Sequence, residues 1–187
     1  MECRLSAACL CNMGRVRGNN EDNFYFDGRT MPLDHTSLDK PLLQDVSTSP
    51  FAAFGVFDGM GGEANGEQAA LLCAQTLHRC SSDEPFDALD FFRRANVAVC
   101  DMIAASGQIG GSTAATVHLT GNRAYCCNVG DSRIYLMREG RLTPLTRDHS
   151  EVALMVAAGC ADDAPPAPDA PSAPDAPPAA PDAPPAG

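Results

Sequence analysis

The 187-residue chain carries 13 basic against 24 acidic side chains, a formal net charge of −11. That length predicts one domain with an appendage, and no run of about 18 apolar residues marks a membrane-spanning helix. The single lysine, Lys40, and the lack of any dense basic patch exclude nucleic acid as a partner, because phosphate neutralisation needs clustered cations. The N-terminus shows no basic stretch leading into a long apolar core, so no secretory signal is expected. Nine irregularly placed cysteines with no Cys-x-x-Cys pair fit small buried hydrophobes rather than zinc ligands. Reduced thiols in a cytoplasmic compartment follow.

Residues 4–11 are apolar and short-chained and read as a strand, and residues 24–27 as a second one ended by Gly28. Residues 29–50 contain Pro32, Pro41 and Pro50 among many polar side chains, which predicts a long loop. A buried strand at 51–57 runs into Asp58-Gly59-Met60-Gly61-Gly62. From Glu63 to about Cys80 the pattern turns helical, with Glu63 and Glu67 near the positive N-terminal end. Pro85 opens a second helix to about Ser106, with Phe86, Leu89, Phe92, Val99 and Ile103 on one stripe. Strands at 112–119, 123–129 and 132–138 follow, separated by tight turns at Gly121-Asn122 and Gly130-Asp131. A last helix is expected at 148–158, stopped by Gly159.

Beyond Ala164 the composition changes. Ten of the 15 prolines lie there, and Ala-Pro-Asp-Ala-Pro begins at Ala167, Ala173 and Ala180. Proline at this density predicts a disordered segment of polyproline II character over 165–187, outside a domain at 1–164. The order of elements indicates an α+β domain with mostly antiparallel sheets. No P-loop or Rossmann glycine pattern is present.

Two acidic clusters stand at strand ends. One is Arg17-Gly18-Asn19-Asn20-Glu21-Asp22-Asn23, before the strand at 24–27; the other is Asp58-Gly59. A carboxylate leaving a buried strand and followed by glycines is held rigidly beside exposed carbonyls, an oxygen donor set suited to Mg²⁺ or Mn²⁺. Arg17 offers a forked donor that could grip a phosphate next to such a metal. The same residues also read as a plain turn and a solvated loop.

Gly14-Arg15-Val16-Arg17 with Asn20-Glu21-Asp22, then Val56-Phe57-Asp58-Gly59-Met60-Gly61-Gly62, resemble the first motifs of the PP2C (PPM) metal-dependent protein phosphatases. Gly110-Gly111-Ser112-Thr113-Ala114, Asn128-Val129-Gly130-Asp131-Ser132-Arg133-Ile134-Tyr135 and Leu145-Thr146-Arg147-Asp148-His149-Ser150 continue the resemblance in family order. Met60 after Asp58-Gly59, where many eukaryotic members have histidine, is similar to the bacterial branch.

The resemblance implies an α-β-β-α sandwich of antiparallel sheets flanked by helices, and a serine/threonine phosphatase whose two Mn²⁺ or Mg²⁺ ions activate water. Its substrates would be phosphoserine and phosphothreonine proteins. It implies Asp58 as a bridging ligand, the Gly59 carbonyl and Glu21 as ligands, and Asp22 as support. Arg17 would orient phosphoryl oxygens, and Asp131 would serve a third, weaker metal or simply a hairpin turn. Ser112, Thr113 and Thr116 read as small packing residues, and His35, His78, His118 and His149 as non-catalytic. With no histidine at position 60, water would protonate the leaving group.

The family's last third, with its Ser-Asp-Gly and Asp-Asn ligand motifs, has no counterpart in this sequence. Asp162, Asp163, Asp169, Asp175 and Asp182 match neither motif. The expected domain therefore lacks its C-terminal third, and weak or absent activity is one expectation. A non-catalytic phosphoprotein-binding module and a frameshifted fragment are the alternatives.

Overall fold

The computed structural model describes residues 4–48, 51–60, 65–81 and 86–150. Its centre is a four-stranded antiparallel sheet in the order β2-β4-β7-β8, formed by β2 (Asn23–Phe26), β4 (Ala52–Phe57), β7 (Ala114–Thr120) and β8 (Arg123–Val129). Successive side chains on a strand face opposite ways, and β2 is buried on both sides. Tyr25 joins Ala53, Phe57 and Ala114 beneath helices α1 (Gly66–Cys80) and α2 (Ala88–Ser106), together with Leu77 and Phe91. Phe24 and Phe26 face the other way, into a cluster with Cys11 and Met31 that Leu42 and Phe54 flank. On that side lies the antiparallel pair of β1 (Arg4–Cys9) and β3 (Leu42–Ser47). The architecture is thus antiparallel sheets flanked by helices, the α+β arrangement expected from the element order.

Within the stretch read as one long loop, β3 is an addition. Leu42, Gln44 and Val46 turn inward while Leu43 is 76% exposed, an alternation that the flanking prolines mask without interrupting. The buried face of α2 also differs from the expected stripe. It centres on Phe91, Ala95 and Met102, with Leu89 exposed and Phe92 and Val99 only partly covered. Asp87 caps α2 by accepting from the Leu89 and Asp90 amides, and left-handed Gly107 closes it.

The turn at Gly121-Asn122 joins β7 and β8 as expected, with φ positive at Gly121. The segment after it does not. The strand expected at 132–138 starts only at Tyr135, and it pairs with β10 (Arg141–Pro144) rather than with β8. Glu139 and Gly140, both at positive φ, make that unexpected hairpin. Residues 148–150 are not helical, and the remainder of the helix expected at 148–158 lies outside the described residues, as does the proline-rich segment.

Among the described residues no helix is long and apolar enough to cross a membrane. The described cysteines are free thiols: Cys11, Cys73 and Cys80 are buried as expected, Cys9, Cys126 and Cys127 are half-buried and Cys100 is exposed, and burial pushes Cys9 and Cys73 up to about 11.

His118 on β7 is buried, stacked 4.1 Å from the Phe86 ring, with Nε2 3.1 Å from Thr116 Oγ1 and Nδ1 without a partner among the described residues. Burial pushes its pKa down from 6.5 to about 4. The folded protein therefore holds a neutral imidazole while the unfolded chain takes up a proton below its ordinary value. Stability from this group is complete above pH 6.5 and falls as pH drops toward 4. At about 1.4 kcal/mol per tenfold difference in proton affinity, the loss reaches roughly 3 kcal/mol. Urea midpoints followed from pH 7.5 to 4.5 should fall more steeply in the native protein than in His118→Phe. Parallel profiles would remove His118 as the cause.

Candidate metal centre

Asp58 occupies the exit of β4. The next two residues form β5 (Gly59–Met60), which pairs with β6 (Gly111–Ser112). Both main-chain groups of Asp58 are held by Thr113: the Thr113 amide donates to Asp58 O at 2.9 Å, and the Asp58 amide donates to Thr113 Oγ1 at 3.1 Å. The carboxylate itself stands exposed on this fixed backbone.

Glu21 and Gly59 meet where β5 passes the first turn of α1. A Cβ on Gly59 would fall on the Glu21 and Gly66 carbonyl oxygens, so only glycine lets these three backbones pack. The Glu21 carboxylate lies against Gly66, at the end of α1 where the helix dipole favours negative charge. Asn65 precedes that turn, but its side chain does not cap the helix. Its amide donates instead to Ser106 Oγ at 3.0 Å and to Gln108 O at 3.3 Å, beyond the end of α2.

Asp22 is brought directly to Asp58. Partial burial, then the charge and hydrogen bond of Asp58, raise its carboxyl above the usual carboxylate range, while His35 pulls the other way. Although Asp22 is solvent-exposed as a residue, its carboxyl is drawn against a second acid. Buried Asn20 shapes the loop: its Oδ1 accepts from the Asp22 amide at 3.1 Å, and its Nδ2 donates to Thr36 O at 2.6 Å. His35 places one ring nitrogen 2.8 Å from Asp22 O and the other 2.8 Å from Pro32 O. Beside this loop a cleft of about 410 Å³ opens, lined by Asn19, Asn20, Leu33, Asp34, His35 and Glu67.

Asp131 is exposed on the loop after β8, and the residue that follows it, Ser132, touches Thr113, with Oγ 2.6 Å from Thr113 Oγ1. Arg133 is a structural residue, giving Asp148 a paired hydrogen bond of 2.9 and 2.6 Å that holds the Asp148 carboxyl below its usual range. The His149 amide donates to Gly130 O at 2.9 Å. The Gly-Asp-Ser-Arg and Asp-His-Ser stretches therefore brace one another, through side chains at Arg133 and Asp148 and through main chain at Gly130 and His149. Arg17 stands on an exposed turn, with no hydrogen bond or ion pair to its guanidinium among the described residues.

The structure thus brings together Asp22 with Asp58, and Glu21 with Gly59, and it leaves Arg17 and Asp131 at the margin. Among the described residues, no group of three or more His, Cys, Asp or Glu side chains converges to hold a metal ion. The donor chemistry nonetheless fits a hard cation. Two carboxyls forced together gain from a positive charge between them, and the donors are all oxygen. Asn20, His35 and Thr113 shape the centre yet were not legible as site residues. The spacing of Asn20 from Asp22 is an Asx-turn signal; Thr113 stands in the Gly-Gly-Ser-Thr-Ala motif, but its small side chain reads there as packing.

An acidic pair thus stands at the mouth of an antiparallel sheet, backed by a helix start. The chain belongs to the Protein phosphatase 2C family, whose model matches residues 22–153. Serine/threonine protein phosphatase PstP of Mycobacterium tuberculosis is 32% identical over 162 residues, covering 83% of this chain and 27% of the relative. Probable protein phosphatase 2C 11 of Arabidopsis thaliana is 34% identical over 110 residues, covering 57% of this chain and 30% of the relative. The chain thus spans less than a third of the length of these curated relatives. Among solved structures, the catalytic domain of PstP in complex with two manganese ions aligns with a TM-score of 0.63 at 29% identity, covering 87% of this chain and 63% of that one. The PPM Ser-Thr phosphatase MsPP from Mycobacterium smegmatis, in complex with cacodylate, gives 0.63 at 25% identity, with 84% and 59% covered.

Proposed function

We propose that this chain carries the metal- and phosphate-binding part of a serine/threonine protein phosphatase acting on phosphoserine and phosphothreonine in proteins. The observation that carries it is the placement of Asp58, at the rigid exit of β4, against Asp22. Asp58, the Gly59 carbonyl, Glu21 and Asp22 would hold Mn²⁺ or Mg²⁺, and Asp131 a more weakly held ion. Such cations, when bound, neutralise phosphoryl charge and acidify water. Arg17, with no partner engaging its guanidinium among the described residues, is available to orient phosphoryl oxygens. The cleft lined by Asn19, Leu33 and His35 adjoins Asp22 and would receive polypeptide flanking the phosphorylated residue. The domain is taken as residues 1–164, followed by a proline-rich segment at 165–187, in the cytoplasm.

The test is hydrolysis of a phosphothreonine peptide by the full chain with Mn²⁺. Asp58→Ala should reduce the rate by roughly 100-fold or more, the scale on which enzymes depend on a group of this kind. A native rate no higher than that of Asp58→Ala would remove the catalytic reading. A second reading is favoured by the absence of three converging His, Cys, Asp or Glu ligands among the described residues. It is a phosphoprotein-binding module without turnover, and calorimetric binding of Mn²⁺ and phosphopeptide with no hydrolysis would establish it.

A further inference from the structure

We infer that Thr113 is a positioning residue that fixes the direction of Asp58 and ties it to the Asp131 loop through Ser132. The ladder between β4 and β7 ends at Val56 opposite Ala115, and pairing resumes with Gly59 opposite Ser112. Both pairs belong to one register, which sets Asp58 opposite Thr113. At that point the ladder is irregular. The Thr113 amide donates to Asp58 O in the ordinary way, but the Asp58 amide turns to the Thr113 hydroxyl instead of the Thr113 carbonyl. The released carbonyl accepts from Ser112 Oγ at 2.8 Å. A side chain thus stands in for main chain at the residue whose carboxylate leaves the sheet.

The hydroxyl is well suited to this. It accepts from the Asp58 amide, and its own proton can go to Ser132 Oγ, 2.6 Å away. Thr113 is 95% buried, so water does not compete readily for these bonds. Its methyl group is gripped as well. A Cβ on Gly130, which sits at φ +94, would lie 2.7 Å from Thr113 Cγ2, so glycine there lets the Asp131 loop close onto the threonine. One side chain therefore connects the exit of β4 with the loop after β8, two stretches far apart in sequence. Thr113 holds the main chain from which the Asp58 carboxylate projects, and outer partners that fix a metal ligand in place typically change metal affinity about 10- to 100-fold when removed.

The consequence for metal binding rests on the proposed reading of Asp58 as a ligand, and the experiment separates the two. In the metal-free full chain, amide hydrogen exchange at Asp58 reports the clamp; Mn²⁺ calorimetry reports its consequence. Thr113→Val, which keeps the shape and removes the hydroxyl, should speed Asp58 exchange and weaken Mn²⁺ binding about 10-fold or more. Thr113→Ser should restore both, a rescue that loss of packing alone would not give. If Thr113→Val does not fold, Ser132→Ala supplies the comparison, with faster Asp58 exchange expected. Unchanged Asp58 exchange in the folded variant overturns the inference, as does faster exchange with Mn²⁺ affinity unaltered. A native chain that binds no Mn²⁺ overturns the phosphatase reading instead, and the exchange comparison between valine and serine then decides the clamp.

Discussion

Gly59→Ala should be among the most damaging single substitutions in this chain, although it adds one methyl group. The added carbon has no free direction, because it lands on the main-chain oxygens of Glu21 and Gly66. Side chains can rotate away from an intruder; two backbone segments, one of them the first turn of α1, must shift bodily. Overpacking costs about 1–3 kcal/mol where side chains can adjust, so the cost here should reach at least the upper end, about 3 kcal/mol. Urea unfolding would measure it, and Mn²⁺ calorimetry on the folded fraction should show weakened binding because Glu21 is displaced. A native-like urea midpoint would mean that α1 does not pack on β5 as described.

The second large effect belongs to Phe57→Ala. Phe57 is 1% exposed, meets Phe91 edge-on with centroids 6.5 Å apart, and lays its ring beneath the position where Gly55 lacks a side chain. Leu77 of α1 reaches the same gap. Removing the ring leaves a void that glycine on one side and a rigid helix on the other cannot fill, and Phe→Ala changes in such cores cost about 3–5 kcal/mol. The neighbouring Val56, 50% exposed on the opposite face, is the internal control. Val56→Ala should stay within about 0.5 kcal/mol. Equal losses at the two positions would contradict the assignment of faces on β4.

Much of this fold is legible in the sequence. Apolar runs place β2, β4 and β7, which are mostly buried and leave little choice of conformation, and the turn at Gly121-Asn122 places the more exposed β8. Asp58 and Glu21 stand out because glycines follow one and a turn precedes the other. What escaped depends on partners distant in the chain. β3 exists because β1 offers it an edge, and prolines on either side made the segment look like a loop. The pairing of β9 with β10 depends on Glu139 accepting positive φ, a conformation that composition does not advertise. Thr113 lies 55 residues from Asp58, so its role could not be seen in either local stretch. The stripe on α2 is legible only in part: Phe86, Phe92 and Val99 pack at the edge of the core, Leu89 is exposed, and the buried centre turns to Phe91, Ala95 and Met102.

Asn65 has a consequence for how the two helices behave together. Because its amide reaches past the end of α2, the start of α1 lacks the side-chain cap that would hold it independently. Gly66, against which the Glu21 carboxylate rests, is therefore registered to Ser106 and Gln108 rather than to its own helix alone. The far end of α2, remote from every acidic residue of the centre in sequence, acts as an anchor point for one of them. Strain or stabilisation introduced there would reach the Glu21 carboxylate through the Asn65 side chain and the adjoining Gly66, with no need for the sheet to move.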